Sequence, residues 1–170
     1  MDTKKILVAI DDSPSSRAAT ELALDLAAAR GAEVVFLHAA RELSDRLYDA
    51  VADIPTTEQV TAFDPLLRTA AALADDRGVA ATLELIGDEG ADELVPAIAG
   101  TADGIGADLI VLGSRGRASL AAALLGSVSQ GVMRTAGVPV LVAHAPNGGA
   151  RNARATSWLP ADEEVPDAGP

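Results

Sequence analysis

Hydrophobic positions along this chain follow two alternating rhythms. Short apolar runs rich in β-branched residues occur at Lys5–Ile10, Glu33–Ala39, Val79–Leu85, Asp108–Leu112 and Val138–Ala143, and longer stretches with apolar residues at helical spacing separate them. Such alternation marks repeated βαβ units on a parallel sheet. The runs Ile6–Ile10 and Leu109–Leu112 are apolar without alternation, which predicts central strands covered on both faces.

Between the first two runs, Ser15–Arg30 places Ala19, Leu22, Leu26 and Ala29 on one face and Arg17, Glu21 and Asp25 towards the other. This predicts an amphipathic helix about 24 Å long. Ser13 is positioned to cap it, Pro14 to open its first turn and Gly31 to stop it in a left-handed conformation. A second helix is predicted over Thr57–Arg77, ended by Gly78, and a third over Gly90–Ile105, where Pro96, Gly100 and Gly104 interrupt the pattern. A fourth covers Gly126–Thr135 with Val128 and Val132 inward, ends near Gly137 and is followed by Pro139. The Glu42–Pro55 connection, which holds the lone tyrosine Tyr48, is long for this architecture and is expected to be a lid or contact loop. Five strands and four helices thus make one α/β domain over residues 1–145.

Composition narrows what that domain can do. The 170 residues are 49% hydrophobic but only 2% aromatic, so the core must come from Ala, Val, Leu and Ile. A net charge of −12 argues against nucleic acid and anionic membrane as partners. From Pro146 onward the periodicity is lost, and residues 146–170 are expected to form a disordered acidic tail. That tail carries two arginines and four acids, so the acidity belongs mainly to the domain. With no cysteine there is no disulfide, thiolate-bound metal or thiol nucleophile. The apolar run at Ile6–Ile10 is too short for a signal peptide or a membrane span, and a cytoplasmic protein is expected.

Candidate chemistry gathers at the ends of the two central runs. Gly113-Ser114-Arg115-Gly116 follows the fourth run, and Gly126-Ser127 opens the fourth helix after nine intervening residues. Gly113 is expected to allow a left-handed turn and a close approach of ligand to backbone, and the helix start offers N–H groups and a positive dipole end to phosphate oxygens. Asp11 stands directly after the first run, where open parallel sheets bind ligands. If the first and fourth strands are neighbours, Asp11 and Gly113 face one crevice. The Asp11 carboxylate could then accept from a ribose hydroxyl or an adenine amine, or simply cap the following turn with Asp12 and Ser13; the two roles are evenly matched.

Ile6-Leu7-Val8-Ala9-Ile10-Asp11-Asp12-Ser13, the G-x2-G-x9-G-[ST] spacing from Gly113 to Ser127, and Gly126-Ser127-Val128-Ser129 followed by Val138-Pro139-Val140-Leu141-Val142 together resemble the ATP-binding branch of the universal stress protein family over about residues 4–144. The resemblance implies a Rossmann-like three-layer α/β sandwich with a five-stranded parallel sheet in the order 3-2-1-4-5. It implies that Asp11 contacts the nucleoside with Ala9 and Ile10 beside it, and that Ala39 borders the adenine. Leu112, Gly113, Arg115 and Gly116 would wrap ribose and phosphates, and Gly126, Ser127, Val128 and Ser129 would bind phosphate. ATP, with Mg²⁺, is the cofactor implied. Asp12 stands where many members have a small residue, and Ala39 where they often have valine, a smaller wall that loosens the adenine pocket.

Competing sites are weaker. Lys4 and Lys5 are the only lysines, so there is no Walker A loop, and Gly104-Ile105-Gly106 lacks the third glycine of a dinucleotide fingerprint. His38 and His144 are expected to be structural, and no metal site or G-x-S-x-G nucleophile is present. Arg115, with Arg117 beside it, answers the acidic surface at the phosphate end. The expectation is therefore a nucleotide-dependent sensor or regulator with no catalytic residues and an unidentified regulatory protein partner. At most it would hydrolyse ATP slowly or phosphorylate itself at Ser127 or Ser129. The alternative is a nucleotide-free dimeric interaction module of the same fold. Val138–Ala143 is expected to be an apolar edge strand, and the resemblance points to a homodimer paired along it.

Overall fold

The computed structural model describes residues 3–40, 64–87, 90–114 and 125–145. Five strands and four helices alternate among them: β1 (Lys5–Ile10), α1 (Pro14–Arg30), β2 (Glu33–Ala39), α2 (Pro65–Asp75), β3 (Ala81–Ile86), α3 (Ala91–Ile105), β4 (Leu109–Gly113), α4 (Ser127–Thr135) and β5 (Val140–Ala143). All the strands pair in parallel in the order β3-β2-β1-β4-β5. This is the expected sheet, with β1 and β4 adjacent at its centre. The Glu42–Pro55 connection, Arg115, Gly116, Arg117 and the tail lie outside the described residues.

Each face of the sheet has its own apolar layer. On one face Ile6, Val8, Ile10, Val34, Phe36 and Val111 meet Ala19, Ala23, Leu24 and Ala27 of α1 and Leu66, Leu67, Ala70 and Ala74 of α2. On the other, Leu7, Val35, Leu37, Ile110 and Leu112 meet Ile98 and Ala102 of α3 and Val132 of α4. Burial against helices on both faces is why β1 and β4 read as continuous apolar runs. Among the described residues no helix is long and apolar enough to cross a membrane.

The caps follow the sequence closely at α1. Ser13 Oγ accepts from Ser16 N–H at 3.1 Å, Pro14 opens the helix, and Gly31 closes it at φ 64° with its N–H on Ala27 O. The buried face of α1 differs from expectation: Ser16, Ala19, Thr20, Ala23, Leu24 and Ala27 turn inward, while Leu22 is exposed and Leu26 half-buried. Alanines surround this helix, so apolar spacing singles out no face. Small residues let the helix lie close on the sheet, and that close approach decides which face is buried. β5 begins at Val140 rather than Val138, because Pro139 has no N–H to give the ladder and contributes only its carbonyl, to Ile110 N–H at 3.0 Å. α3 continues unbroken through Pro96, Gly100 and Gly104.

Candidate functional site

Adjacency of β1 and β4 brings the two sequence segments together at the carboxyl edge of the sheet, with Ala9 opposite Leu112 in the register. From there β1 leads into α1 on one face, while α4 lies on the other. Chains departing to opposite faces leave a crevice between them, the place where open α/β sheets bind ligands.

Asp11 on the β1 side is organised by its own turn. Its N–H donates to Ser16 Oγ at 2.9 Å, and its Oδ1 accepts from Ser13 N–H at 3.1 Å. Of the two roles open for Asp11, the turn role is therefore filled by one carboxylate oxygen. Ile10 and Leu112 are buried in opposite core layers, so what they offer a ligand is backbone. Ala9 is half-buried, and Ala39 ends β2 opposite Ile86.

Gly113 serves a different purpose from the left-handed turn expected of it. Its φ is not positive, so no left-handed turn requires it. A Cβ here would lie 2.7 Å from Ser16 N and 2.8 Å from the Ser15 carbonyl carbon. The glycine is needed because the first turn of α1 sits directly on the end of β4. Gly126 likewise has an ordinary φ of −64°. Sequence reasoning passed over Gly131, whose absent side chain leaves room for Val95 of α3, 2.5 Å from where its Cβ would stand.

On the β4 side the chain is stapled to both neighbours. Ser114 N–H donates to Ala143 O at 2.7 Å, Gly126 N–H donates to Ser114 O at 2.8 Å, and Ser129 Oγ donates to Gly113 O at 2.7 Å. These bonds bring the start of α4 against the carboxyl end of β4. Gly126 is its N-cap, and no side chain caps the helix. Its first turn contains no acidic residue either, whereas Asp92 and Glu93 stand in the first turn of α3 and Ser13 and Asp64 cap α1 and α2. The positive end of α4 is thus open to an anion. Ser127 is exposed and Val128 packs against the α3–α4 layer. Ser129 is buried and has committed its proton to Gly113, so towards a phosphate it has no O–H left to donate.

Two polar atoms at this edge have no hydrogen-bond partner, Ser114 Oγ and Asp12 Oδ1. Ser114 is only 1% exposed. Motif spacing drew attention to the glycines around Ser114 and hid it; the only sequence signal was a hydroxyl between a buried strand and a glycine. A third unpartnered atom, Thr20 Oγ1, lies a turn further along α1 beneath the helix. Unmet hydrogen-bonding capacity beside an uncapped helix start fits a polyoxygen anion carrying hydroxyl groups, as a nucleotide does.

His38 is tied into the fold, as expected. His38 Nδ1 lies 2.6 Å from Oδ2 of the fully buried Asp64, whose Oδ1 caps α2 through Leu67 N–H at 2.9 Å. His144 is exposed. No group of three or more His, Asp or Glu able to hold a metal ion occurs among the described residues.

A cavity of about 670 Å³ opens at the opposite, amino edge, lined by Lys4, Lys5, Ala28, Gly31, Glu33 and Asp108 among others. Lys5 Nζ is paired with Glu33 Oε1 at 2.7 Å. The Asp108 carboxylate accepts the backbone N–H groups of Lys4 at 2.8 Å and Lys5 at 3.0 Å. The Lys4 amide, then the Lys5 amide, hold its carboxyl below the usual range, with the lysine charges adding to them and desolvation opposing.

A family model for the Universal stress protein family matches residues 2–144. The universal stress protein Rv2005c of Mycobacterium tuberculosis is 35% identical over 138 residues, covering 81% of this chain and 44% of that protein. The chain therefore spans less than half the length of this curated relative. Among solved structures, the hypothetical protein MJ0577 has the same fold, with a TM-score of 0.66 at 24% identity over 85% of this chain and 97% of that one. A universal stress protein in complex with cAMP superposes with a TM-score of 0.59 at 28% identity, covering 84% of this chain and 98% of that one.

Proposed function

The chain belongs to the universal stress protein family, and from that premise we propose that it binds ATP in the crevice at the carboxyl edge of the sheet and acts as a nucleotide-dependent regulator. The observation that carries this reading is the open first turn of α4, delivered to the end of β4 by the Gly126–Ser114 bond. A 28%-identical relative whose structure holds cAMP supports the adenine part of the ligand. Gly126, Ser127, Val128 and Ser129 would meet the phosphates mainly through backbone N–H groups, with Arg115 and Gly116, which follow Ser114 in the sequence, completing the wrap. Ala9, Asp11 and Ala39 would border the nucleoside, and Gly113, which lets α1 sit on the end of β4, would keep that edge closed beside it. Mg²⁺ would enter with the phosphates, since that ion needs only one or two protein carboxylates. Nothing in this set pairs a nucleophile with a base, so the reading is of binding rather than turnover, in a cytoplasmic protein. We place homodimerisation on the free edge of β5, where Val140, Leu141 and Val142 are half-buried with no strand beyond them among the described residues.

The test is calorimetric titration of the full chain with ATP and Mg²⁺, alongside Ser127→Glu. A carboxylate in the first turn of α4 favours the helix dipole by about 0.3–1 kcal/mol while repelling phosphate. The expected result is an unchanged or raised melting temperature and an ATP affinity at least about tenfold weaker, the factor that 1.4 kcal/mol represents. Wild-type protein that neither retains nor binds an adenine nucleotide sinks the reading and leaves the nucleotide-free module in its place.

A further inference from the structure

Ser114 is held on both sides by its backbone and on neither by its side chain. Its N–H reaches Ala143 O at the end of β5, and its carbonyl takes the Gly126 N–H at the start of α4. The residue before it, Gly113, directs its missing Cβ at Ser15 and Ser16 of α1. Ser114 is the next residue, one past the end of β4, and its carbonyl is bonded to Gly126, the N-cap of α4. The Ser114 hydroxyl is therefore buried on a residue whose backbone is bonded to the uncapped start of α4, and it has no partner.

A buried hydroxyl without a partner is a net cost to the folded state, because it gave up water and received nothing in return. Alanine would fill the same position without that cost. A hydroxyl can both donate and accept, but here the neighbouring backbone N–H groups of α4 attract an anion, so the missing partner is an acceptor. Ser129, the buried hydroxyl in the first turn of α4, has already given its proton to Gly113 O. Resting on the nucleotide reading above, we infer that Ser114 Oγ–H is a phosphate-binding donor of this site, completing with its side chain the ring of N–H groups at the start of α4.

This assignment predicts opposite effects on the two states of the protein. In Ser114→Ala the ligand-free chain melts at the same temperature as wild type or higher, since no bond is lost and both backbone staples remain. Its affinity for ATP falls about tenfold or more, the size expected for a hydrogen bond to a charged group. Its affinity for adenosine, which has no phosphate, stays at the wild-type value. A Ser114→Ala protein that binds ATP as wild type does, or that melts several degrees lower without ligand, overturns the assignment, as does an equal loss with adenosine. In each of those cases wild type still binds ATP. A wild type that does not bind ATP at all instead removes the nucleotide reading itself, and this assignment with it.

Discussion

The two edges of the sheet differ in a way their shapes conceal. The amino edge has the hollow, a cavity of about 670 Å³ holding both lysines. Yet its polar groups are engaged with one another: Lys5 with Glu33, Asp108 with two backbone amides, and the glycine N–H groups of Gly31, Gly78 and Gly106 with the last carbonyls of the helices and turn they close. The carboxyl edge keeps unspent valences, in the uncapped start of α4, Ser114 Oγ and Asp12 Oδ1. Binding capacity follows unsatisfied hydrogen-bonding groups more closely than it follows concavity, because an unsatisfied buried group is what a ligand can relieve.

Glycines give the largest test of that contrast. At the carboxyl edge Gly113 is required by packing, so Gly113→Val must push α1 off β4, because the atoms in its way, Ser16 N and the Ser15 carbonyl carbon, are backbone. The expected loss is about 3 kcal/mol in denaturant unfolding. At the amino edge Gly31 is required by its dihedral alone: φ is 64° and a Cβ would meet nothing within 4 Å. Gly31→Ala is therefore expected to cost only about 1–2 kcal/mol. Equal losses at the two positions would break the distinction. Gly113→Val is also a poor probe of nucleotide binding, since loss of fold would mimic loss of site.

A smaller effect is expected at the His38–Asp64 pair, which lies at the carboxyl edge but is fully engaged. Asp64→Ala removes the cap of α2 and the partner of His38 together. It should cost about 2 kcal/mol from a lost cap and a lost buried hydrogen bond. ATP affinity measured below the melting transition should be unchanged, and a weakened affinity would make this pair part of the site rather than of its support.

Much of this was legible in the sequence because the signals were local. β1 and β2 begin and end where their apolar runs do, and Ser13, Pro14 and Gly31 bound α1 because caps depend on neighbouring residues. The strand order came from the family resemblance, since apolar periodicity alone does not say which strands pair. The inward face of α1 was illegible because alanine is compatible with either face and the sheet below decides. Gly113 was found for a reason the structure replaces: spacing reveals that a glycine is needed, while only the neighbouring helix reveals why. Ser114 was invisible because a missing partner is a property of the assembled edge, not of any residue in it.

The smallest expected effect isolates the amino edge from the carboxyl edge by pH. Amides of Lys4 and Lys5 hold the Asp108 carboxyl below its unfolded value, so the folded chain releases that proton more readily than the unfolded chain. A depressed carboxyl contributes stability that is present above its unfolded pKa and is lost as pH falls through its folded pKa. Asp108→Asn should accordingly melt slightly below wild type at neutral pH, with the two melting curves converging as the pH drops below the carboxylate range. Asparagine can still accept from one amide but lacks the charge that the Lys4 and Lys5 N–H groups favour. Since Asp108 joins β1 to the start of β4 at the far end from the crevice, ATP affinity at neutral pH should not move. A melting difference that persists unchanged into acid would mean that shape, and not charge, is what the two amides recognise.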